Sequence, residues 1–306
     1  MNTSPIRIGT RDSKLAMWQA HTVGKKLRAH GYEVEIVDVK SKGDLDTTRP
    51  LHELGTTGIF TKVLDDALYE NEVDIAVHSL KDYPTQPPKG IVLSAHLERE
   101  DPMDLLIPSS DGSTDWLNDQ NSTAAIGTGS IRRKAQWLHR FPNHSTENLR
   151  GNVQTRLKKL EENNWQGIIM AAAGLLRMDA VPSNAVALDW MIPAPAQGVI
   201  GITHREGDTA AQAACEKLDI EMSRITSTIE RSFLRTLEGG CSAPIGALAR
   251  IVSNQVHFVG CLHSLDGKRE IKIEKEGTLA DWNTLGATWA EEVIAQGGKE
   301  ILDELK

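Results

Sequence analysis

Val73-Asp74-Ile75-Ala76-Val77-His78-Ser79-Leu80-Lys81-Asp82-Tyr83-Pro84 is the stretch whose reading decides the fold. Its first five residues read as a short buried strand, and the polar residues after them fall in the loop at that strand's C-terminal end. A helical pattern over about 58–70 precedes it, so the pair is one half of an α/β repeat. Further back, Ile6-Arg7-Ile8-Gly9 reads as a strand, followed by a helix over about 14–30. Ser13 is placed to cap that helix, and Leu15, Trp18, Val23 and Leu27 mark its apolar face. Residues 33–40 alternate as a further strand. This order predicts a mostly parallel sheet with helices on its faces.

In the other direction the rhythm restarts near Asp104. Thr123-Ala124-Ala125-Ile126 reads as a strand, and a helix is expected from Gly129-Ser130 to just before Pro142. A second helix covers about 153–163. Gly167-Ile168-Ile169-Met170-Ala171 is a buried strand running into a helix over 172–178. Two α/β units in tandem form a cleft where the loops at their strand ends converge, the usual ligand position in such sheets. Beyond Pro193-Ala194-Pro195 the pattern changes to helices over about 208–218 and 222–237. Three strands follow near 245–252, 256–262 and 270–276, then a helix over 282–295, which together read as a smaller α+β unit.

A chain of 306 residues exceeds one ordinary core, and 40% hydrophobic with 25% charged residues is the composition of a globular protein. No run approaches the roughly 20 apolar residues of a membrane span. The start, Met1-Asn2-Thr3-Ser4-Pro5-Ile6-Arg7, lacks the apolar core of a signal peptide. Three dispersed cysteines, Cys215, Cys241 and Cys261, do not make a disulfide framework, so a cytosolic location is expected. Cys261-Leu262-His263 alone cannot supply the four ligands of a structural zinc, and no metal is expected. The net charge of −8 argues against general affinity for nucleic acid. Within that acidic total, residues 127–160 carry Arg132, Arg133, Lys134, Arg140, Arg150, Arg156, Lys158 and Lys159 against the single acid Glu147. A basic zone in an acidic protein reads as a local anion site. Lys134, Lys158 and Lys159 read as a solvated helix face.

Four segments offer chemistry. Cys241 stands in Glu238-Gly239-Gly240-Cys241-Ser242-Ala243-Pro244, and a thiol on a glycine-bracketed loop is placed to react; the competing reading is a partly buried spectator. Asp82, in the loop after a buried strand, can bind a substrate N–H, stabilise a developing cation or shuttle a proton, while Lys81 favours its ionised form. As a lone loop pair the two residues also read as plain surface. Gly127-Thr128-Gly129-Ser130-Ile131-Arg132-Arg133 follows a strand and opens a helix, but Arg132 stands where the third glycine of a dinucleotide loop belongs. What remains is a helix N-terminus with two arginines, suited to carboxylates. Arg150-Gly151-Asn152 with Arg156 repeats the device, as does Thr10-Arg11-Asp12-Ser13.

Together these segments resemble the hydroxymethylbilane synthase (porphobilinogen deaminase) family over nearly the whole chain. The resemblance is carried by Thr10-Arg11-x-Ser13-x-Leu15-Ala16, Asp74 through Asp82, Ser130-Ile131-Arg132-Arg133 and Leu149-Arg150-Gly151-Asn152-Val153-x-Thr155-Arg156-Leu157. Ala173-Gly174-Leu175 with Arg177, Gln197-Gly198 and Glu238-Gly239-Gly240-Cys241 complete it. It implies an α/β enzyme with two periplasmic-binding-protein-like domains, over 1–98 plus 199–216 and over 104–192, and a third, smaller α+β domain over 221–306.

The implied reaction joins four porphobilinogen molecules head to tail into linear hydroxymethylbilane, releasing ammonia each time. The implied cofactor is a dipyrromethane, held through a thioether to the cysteine matching Cys241. Loss of ammonia leaves an electron-poor azafulvene that the bound chain attacks, with Asp82 as charge partner of the pyrrole N–H and of cationic intermediates. Cofactor contacts are expected from Lys81, Ser13, Ser79, Thr128, Gly129, Ser130, Arg132, Arg133 and Arg150. Substrate contacts are expected from Arg11, Arg150, Arg156, Arg177 and Gln197. Arginine suits the accumulating acetates and propionates because its planar fork binds carboxylate at two points and stays charged when desolvated. A monomer acting on small-molecule porphobilinogen is expected, without nucleic acid or membrane.

Three positions depart from the family pattern. Gly55-Thr56-Thr57-Gly58-Ile59-Phe60 replaces G-x-K-G-x-F, Gly129 replaces a frequent serine, and Gly201-Ile202-Thr203-His204 stands where Gly-Ile-Glu-Cys is common. Two rival readings remain: a bilobed protein that binds carboxylates reversibly, and a nucleic-acid binder using the 127–160 zone.

Overall fold

The computed structural model describes residues 4–40, 59–110, 112–119, 121–237 and 243–305, without the side chains of Ile59 and Phe60. Thirteen strands among these form three sheets. The first sheet contains β1 (Ile6–Thr10), β2 (Val34–Asp38), β3 (Ile75–Ser79) and β4 (Ile91–His96). The second contains β5 (Asp104–Pro108), β6 (Ala125–Gly127), β7 (Ser145–Glu147), β8 (Gly167–Ala171) and β9 (Val186–Ala187). The chain then returns as β10 (Ile200–Arg205) and completes the first sheet between β3 and β4. The third sheet is the antiparallel run β11 (Ile245–Val252), β12 (Gln255–His263) and β13 (Glu270–Thr278).

The two five-stranded sheets have matching plans, β2-β1-β3-β10-β4 and β7-β6-β8-β5-β9. In each, three parallel strands are joined by two antiparallel pairings. The expectation of mostly parallel sheets therefore needs correcting to mixed ones. The cause is the double crossing: β10 enters the first sheet and β5 the second from the opposite lobe, against the direction of their neighbours.

Both parallel cores obey the burial rule for such strands. Ile75, Ala76, Val77 and His78 are all enclosed, a continuous buried run on both faces of β3. On one side α1 (Lys14–Ala29) seats Ala20, Val23 and Leu27 against Ile8, Ile75 and Ile202. On the other, α2 (Ile59–Tyr69) seats Leu64 and Leu68 against Val73 and Ala76. In the second lobe α3 (Ile131–Arg140) buries Trp137 beside Ile126 and Ile169. The opposite face is covered by Leu160 of α4 (Val153–Glu162) and Leu175 of α5 (Ala172–Leu176). After β10, α6 (Thr209–Glu216) packs Ala211 and Ala214 on the first sheet.

The third unit begins with α7 (Glu221–Thr236), whose Ile225, Ile229 and Phe233 recur every four residues and so line one face. That face meets Ala247 and Phe258 of the sheet together with Trp289 of α8 (Trp282–Val293). A short α9 (Lys299–Asp303) ends the described chain. Among the described residues no helix is long and apolar enough to cross a membrane.

Helix α7 also ties the units together. Glu230, wholly buried, accepts from both terminal nitrogens of Arg99 at 2.6 and 3.1 Å. The same carboxylate accepts from the backbone N–H of Ala196 and of Ala249, each at 2.7 Å. Arg99 lies on the first crossing, Ala196 on the second and Ala249 in β11, so one carboxylate joins both hinge segments to the third sheet.

Candidate active site

The loops that leave the C-terminal ends of β1, β3, β6 and β8 carry most of the residues singled out from sequence, as the topology of open α/β sheets requires. Ser13 after β1 caps α1, its Oγ accepting from Ala16 N at 3.2 Å. Ser130 after β6 caps α3, its Oγ accepting from Arg133 N at 3.4 Å. Asn152 caps α4, accepting from Thr155 N at 2.9 Å. Three helix N-termini are thereby presented at strand ends. Thr128 is buried, and its hydroxyl accepts from Ser130 N at 3.2 Å. Ser79 closes β3 and accepts from Gln19 Nε2 at 2.9 Å.

Asp82 sits on a single 3-10 turn, Leu80–Asp82, directly after β3, and its side chain is exposed. Lys81 beside it is half-buried and donates to Gln197 Oε1 at 3.2 Å. Burial pushes its ammonium down to about 8, opposed by the charge of Asp82 and assisted by that of Arg133. On the second lobe, burial pushes the Arg156 guanidinium down to about 10; Arg133 and Arg150 add to that shift, while Asp82 opposes it. Asp82 thus acts electrostatically on a side chain of α4, across from its own lobe. Asp82, Lys81, Arg133, Arg150 and Arg156 form one charge cluster between the two sheets.

Arg132 and Arg133 were expected to face bound carboxylates. Both are buried, and the carboxylate they hold is Asp104 at the head of β5. Arg132 Nη2 lies 2.8 Å from Asp104 Oδ2, and Arg133 Nη2 and Nε lie 2.8 and 3.1 Å from Oδ1. Arg132 Nη1 donates to the carbonyl of Ile192 at 2.6 Å and Arg133 Nη1 to that of Ile169 at 2.9 Å, while Arg132 Nε is buried without a hydrogen-bond partner. The two guanidiniums outweigh burial and hold the Asp104 carboxyl far below the usual range. Gln197 extends this centre: its amide donates to Asp104 Oδ1 at 2.9 Å while its oxygen accepts from Lys81. It sits in a tight turn where Gly198 has φ +89°, and a Cβ there would stand 2.3 Å from the carbonyl of Glu100. The carbonyl of Gly198 in turn accepts from Arg177 Nη2 at 2.6 Å. Arg11 follows β1 and is half-buried.

Asp104 escaped sequence reasoning, although an acid immediately before the apolar run Leu105-Leu106-Ile107 was a usable signal, since a carboxylate entering a buried strand needs cationic partners. Asp104→Asn is expected to destabilise the protein by about 3–5 kcal/mol, because it leaves two buried guanidiniums facing a neutral amide. Denaturant titration checks this, and an unshifted midpoint would show that the pair is held by its backbone carbonyls alone.

Two of the sequence departures have a structural account. A Cβ at Gly129 would stand 2.5 Å from the carbonyl of Leu149, so a serine there requires the 128–130 turn or the 149–151 loop to move. Thr203 is buried in β10, and its hydroxyl lies 3.0 Å from His78 Nε2. Burial pushes that imidazole down to about 3, with help from Arg231, so His78 stays neutral beneath the Asp82 turn. The departure at Thr57 lies outside the described residues, as does Cys241 itself. The other two thiols, Cys215 and Cys261, are buried.

The site's donors fit a polyacidic ligand. Arg150 Nη1 is a buried cationic nitrogen without a hydrogen-bond partner, at the edge of the same charge cluster. An orphaned buried N–H is costly, and a ligand carboxylate would satisfy it.

Comparison with known proteins gives a concordant picture. Residues 6–213 match the family model described as porphobilinogen deaminase, dipyromethane cofactor binding domain. Residues 224–295 match porphobilinogen deaminase, C-terminal domain. The porphobilinogen deaminase of Syntrophotalea carbinolica is 39% identical, covering 100% of this chain and 97% of its own. That of Trichlorobacter lovleyi is 38% identical, covering 98% and 96%. Among solved structures, the periplasmic VFT2 domain of Bordetella pertussis BvgS aligns with TM-score 0.41 and 13% identity, over 70% of this chain and 86% of that one. An ancestral cationic amino acid solute binding protein aligns with TM-score 0.43 and 14% identity, over 70% and 87%.

Proposed function

The chain belongs to the porphobilinogen deaminase family, enzymes of tetrapyrrole biosynthesis with a dipyrromethane cofactor, and from that premise we propose how its own residues perform the reaction. The proposed activity is the head-to-tail condensation of four porphobilinogen molecules into hydroxymethylbilane, with release of one ammonia at each addition. The observation that carries this reading is the exposed Asp82 carboxylate on the turn that leaves β3, with the buried, unpartnered Arg150 Nη1 among the cations of the second lobe.

Positive charge develops on the substrate as its ammonia leaves. Asp82 stabilises that charge and holds the pyrrole N–H, and its carboxylate is placed to accept the proton lost when the ring regains aromaticity. Arg11, Arg150, Arg156 and Arg177, with Gln197, bind the acetate and propionate groups of incoming units. Lys81, Ser13, Ser79, Thr128, Gly129, Ser130, Arg132, Arg133 and Arg150 hold the cofactor, which is tethered to Cys241. The dipyrromethane, when bound, supplies the pyrrole carbon on which the product is primed. Arg132 and Arg133 reach its carboxylates by sharing donors now given to Asp104, or by presenting the α3 N-terminus they flank. A covalent tether spares the enzyme repeated capture of the growing chain. The units of this reading run over 1–98 with 199–216, over 104–192 and over 221–306, supported by the membership of the three sheets. The enzyme is read as a cytoplasmic monomer.

Intact-mass measurement on the purified protein tests the reading. A mass excess equal to two linked pyrrole units, mapped to the Cys241 peptide, is expected. The unmodified polypeptide mass, with reversible binding of small carboxylates, would replace the synthase by a binding protein. Steeply salt-dependent retention on DNA or RNA would point instead to the basic zone as a nucleic-acid surface.

A further inference from the structure

The turn that carries Asp82 is held from outside its own lobe. Leu80–Asp82 is only three residues long, so it satisfies few of its own carbonyls. Arg231, on α7 of the third unit, is buried and meets three of the oxygens in this region. Its Nη1 donates to the carbonyls of Leu80 at 3.1 Å and Tyr83 at 2.9 Å, and its Nη2 donates to that of Pro84 at 2.5 Å. The contacts bracket Asp82 on both sides in sequence. A planar guanidinium matches such a fan of acceptors, and a lysine ammonium, as a point donor on an unforked stem, does not.

The first lobe holds the same turn by packing and side chains: Leu80 and Tyr83 are buried with Leu93, and the Tyr83 hydroxyl donates to Asp65 Oδ1 at 3.5 Å. The Leu80 N–H donates to Val199 O at 3.0 Å, which is the second crossing rather than the sheet proper. The Tyr83 ring lies against His78, with centroids 4.5 Å apart. Glu230, next to Arg231 on α7, fixes both crossings and β11 as described above. Adjacent residues of one helix therefore hold the hinge segments and the backbone of the Asp82 turn. In sequence, Cys241 follows shortly after that helix.

We propose that Arg231 is a positioning residue for the reaction: it sets the Asp82 carboxylate from the helix of the third unit, so that the carboxylate keeps its place relative to that unit as the cleft is worked. The inference rests on the reading of Asp82 given above. Arg231 touches no reacting atom; it acts through the turn.

The test compares Arg231→Met, Arg231→Lys, Asp82→Asn and the Asp82→Asn/Arg231→Met double variant, each prepared as cofactor-loaded enzyme. Arg231→Met is expected to keep KM within about threefold while kcat falls roughly 10- to 100-fold, the scale of displacing a positioned group by about an ångström. Arg231→Lys recovers part of that loss. In the double variant kcat falls no further than in Asp82→Asn alone, because a carboxamide has little left to be positioned for; a purely structural role would add its own loss instead. Hydrogen exchange over 79–85 rises in both Arg231 variants while β11 to β13 keep their protection.

A parental kcat in Arg231→Met, or losses that multiply in the double variant, would overturn the proposal. If Arg231→Met does not accumulate as folded protein, Arg231→Lys decides: a lowered kcat at parental KM supports the proposal and a parental kcat overturns it. Should Asp82→Asn itself turn over at the parental rate, the reading of Asp82 falls first. A slow Asp82→Asn beside an unaffected Arg231→Met removes only Arg231.

Discussion

Asp82→Asn is expected to lower turnover by about 10² to 10⁴ while leaving the cofactor in place, the usual scale for loss of a positioned acid–base group. The substitution keeps the shape of the side chain but removes its charge and exchanges one acceptor oxygen for a donor NH2. Asp82 is exposed on a short turn whose backbone is gripped by Arg231 and Val199, so the fold does not depend on that carboxylate. Surface substitutions of this kind change stability by about 0.5 kcal/mol or less. What the substitution does change is the electrostatic balance of the cleft. Asp82 now opposes the downward push on both Lys81 and Arg156, so its neutralisation leaves two cations with less compensation. Arg156 keeps its charge without Asp82, so substrate carboxylates retain an arginine partner and the deficit appears chiefly in kcat. Steady-state kinetics with a colorimetric check of bound dipyrromethane separates the two effects. Rates near the parental value would refute the role, and loss of the chromophore would move Asp82 from the chemistry to cofactor assembly.

The parts of this site that were legible in the sequence are those decided by local physics. The run around β3 announces itself by the apolar Val73 and Ile75-Ala76-Val77, and Lys81 and Asp82 follow at its end as the topology demands. Ser13, Ser130 and Asn152 stand at helix starts because only a side-chain oxygen there satisfies the first free N–H groups. What stayed hidden was non-local. Strand β10 carries Thr203 and His204 in its middle, so it lacks an unbroken apolar signature, and its partners His78 and His96 lie more than a hundred residues earlier. Strand β5 begins with an acid for the same reason that α3 begins with two arginines: each is the other's counter-charge.

Arg132 and Arg133 were expected to face the carboxylates of cofactor and substrate, and the carboxylate they hold in the fold is Asp104; a single chain of letters does not say that a carboxylate comes from the protein itself. The same limit hid Arg231 and Glu230, whose partners are backbone atoms and an arginine of other units. Residue type reveals what a side chain can bind. Only the fold reveals what it already holds.

Cys241→Ser is expected to abolish the covalent cofactor and, with it, activity. The case rests on elimination. Three cysteines are present. Cys215 packs in the first lobe, where burial, with Asp208 and Glu216 nearby, pushes its thiol up to about 12. Cys261 lies inside the third sheet, where burial likewise pushes its thiol up to about 12. At neutral pH such a thiol stays protonated, and the thiolate is the nucleophile. Both sulfurs are also sealed from any ligand-sized group. The proposed thioether is therefore assigned to Cys241, on a run of glycines that follows α7 in sequence. Serine cannot replace it, because a hydroxyl without an adjacent base is a far weaker nucleophile than a thiol. Purified Cys241→Ser should give the bare polypeptide mass and no pyrrole colour, whereas Cys215→Ala and Cys261→Ala keep both mass excess and turnover. A pyrrole adduct persisting on Cys241→Ser would place the attachment at a buried sulfur, and would require the first lobe or the third sheet to open in order to be loaded.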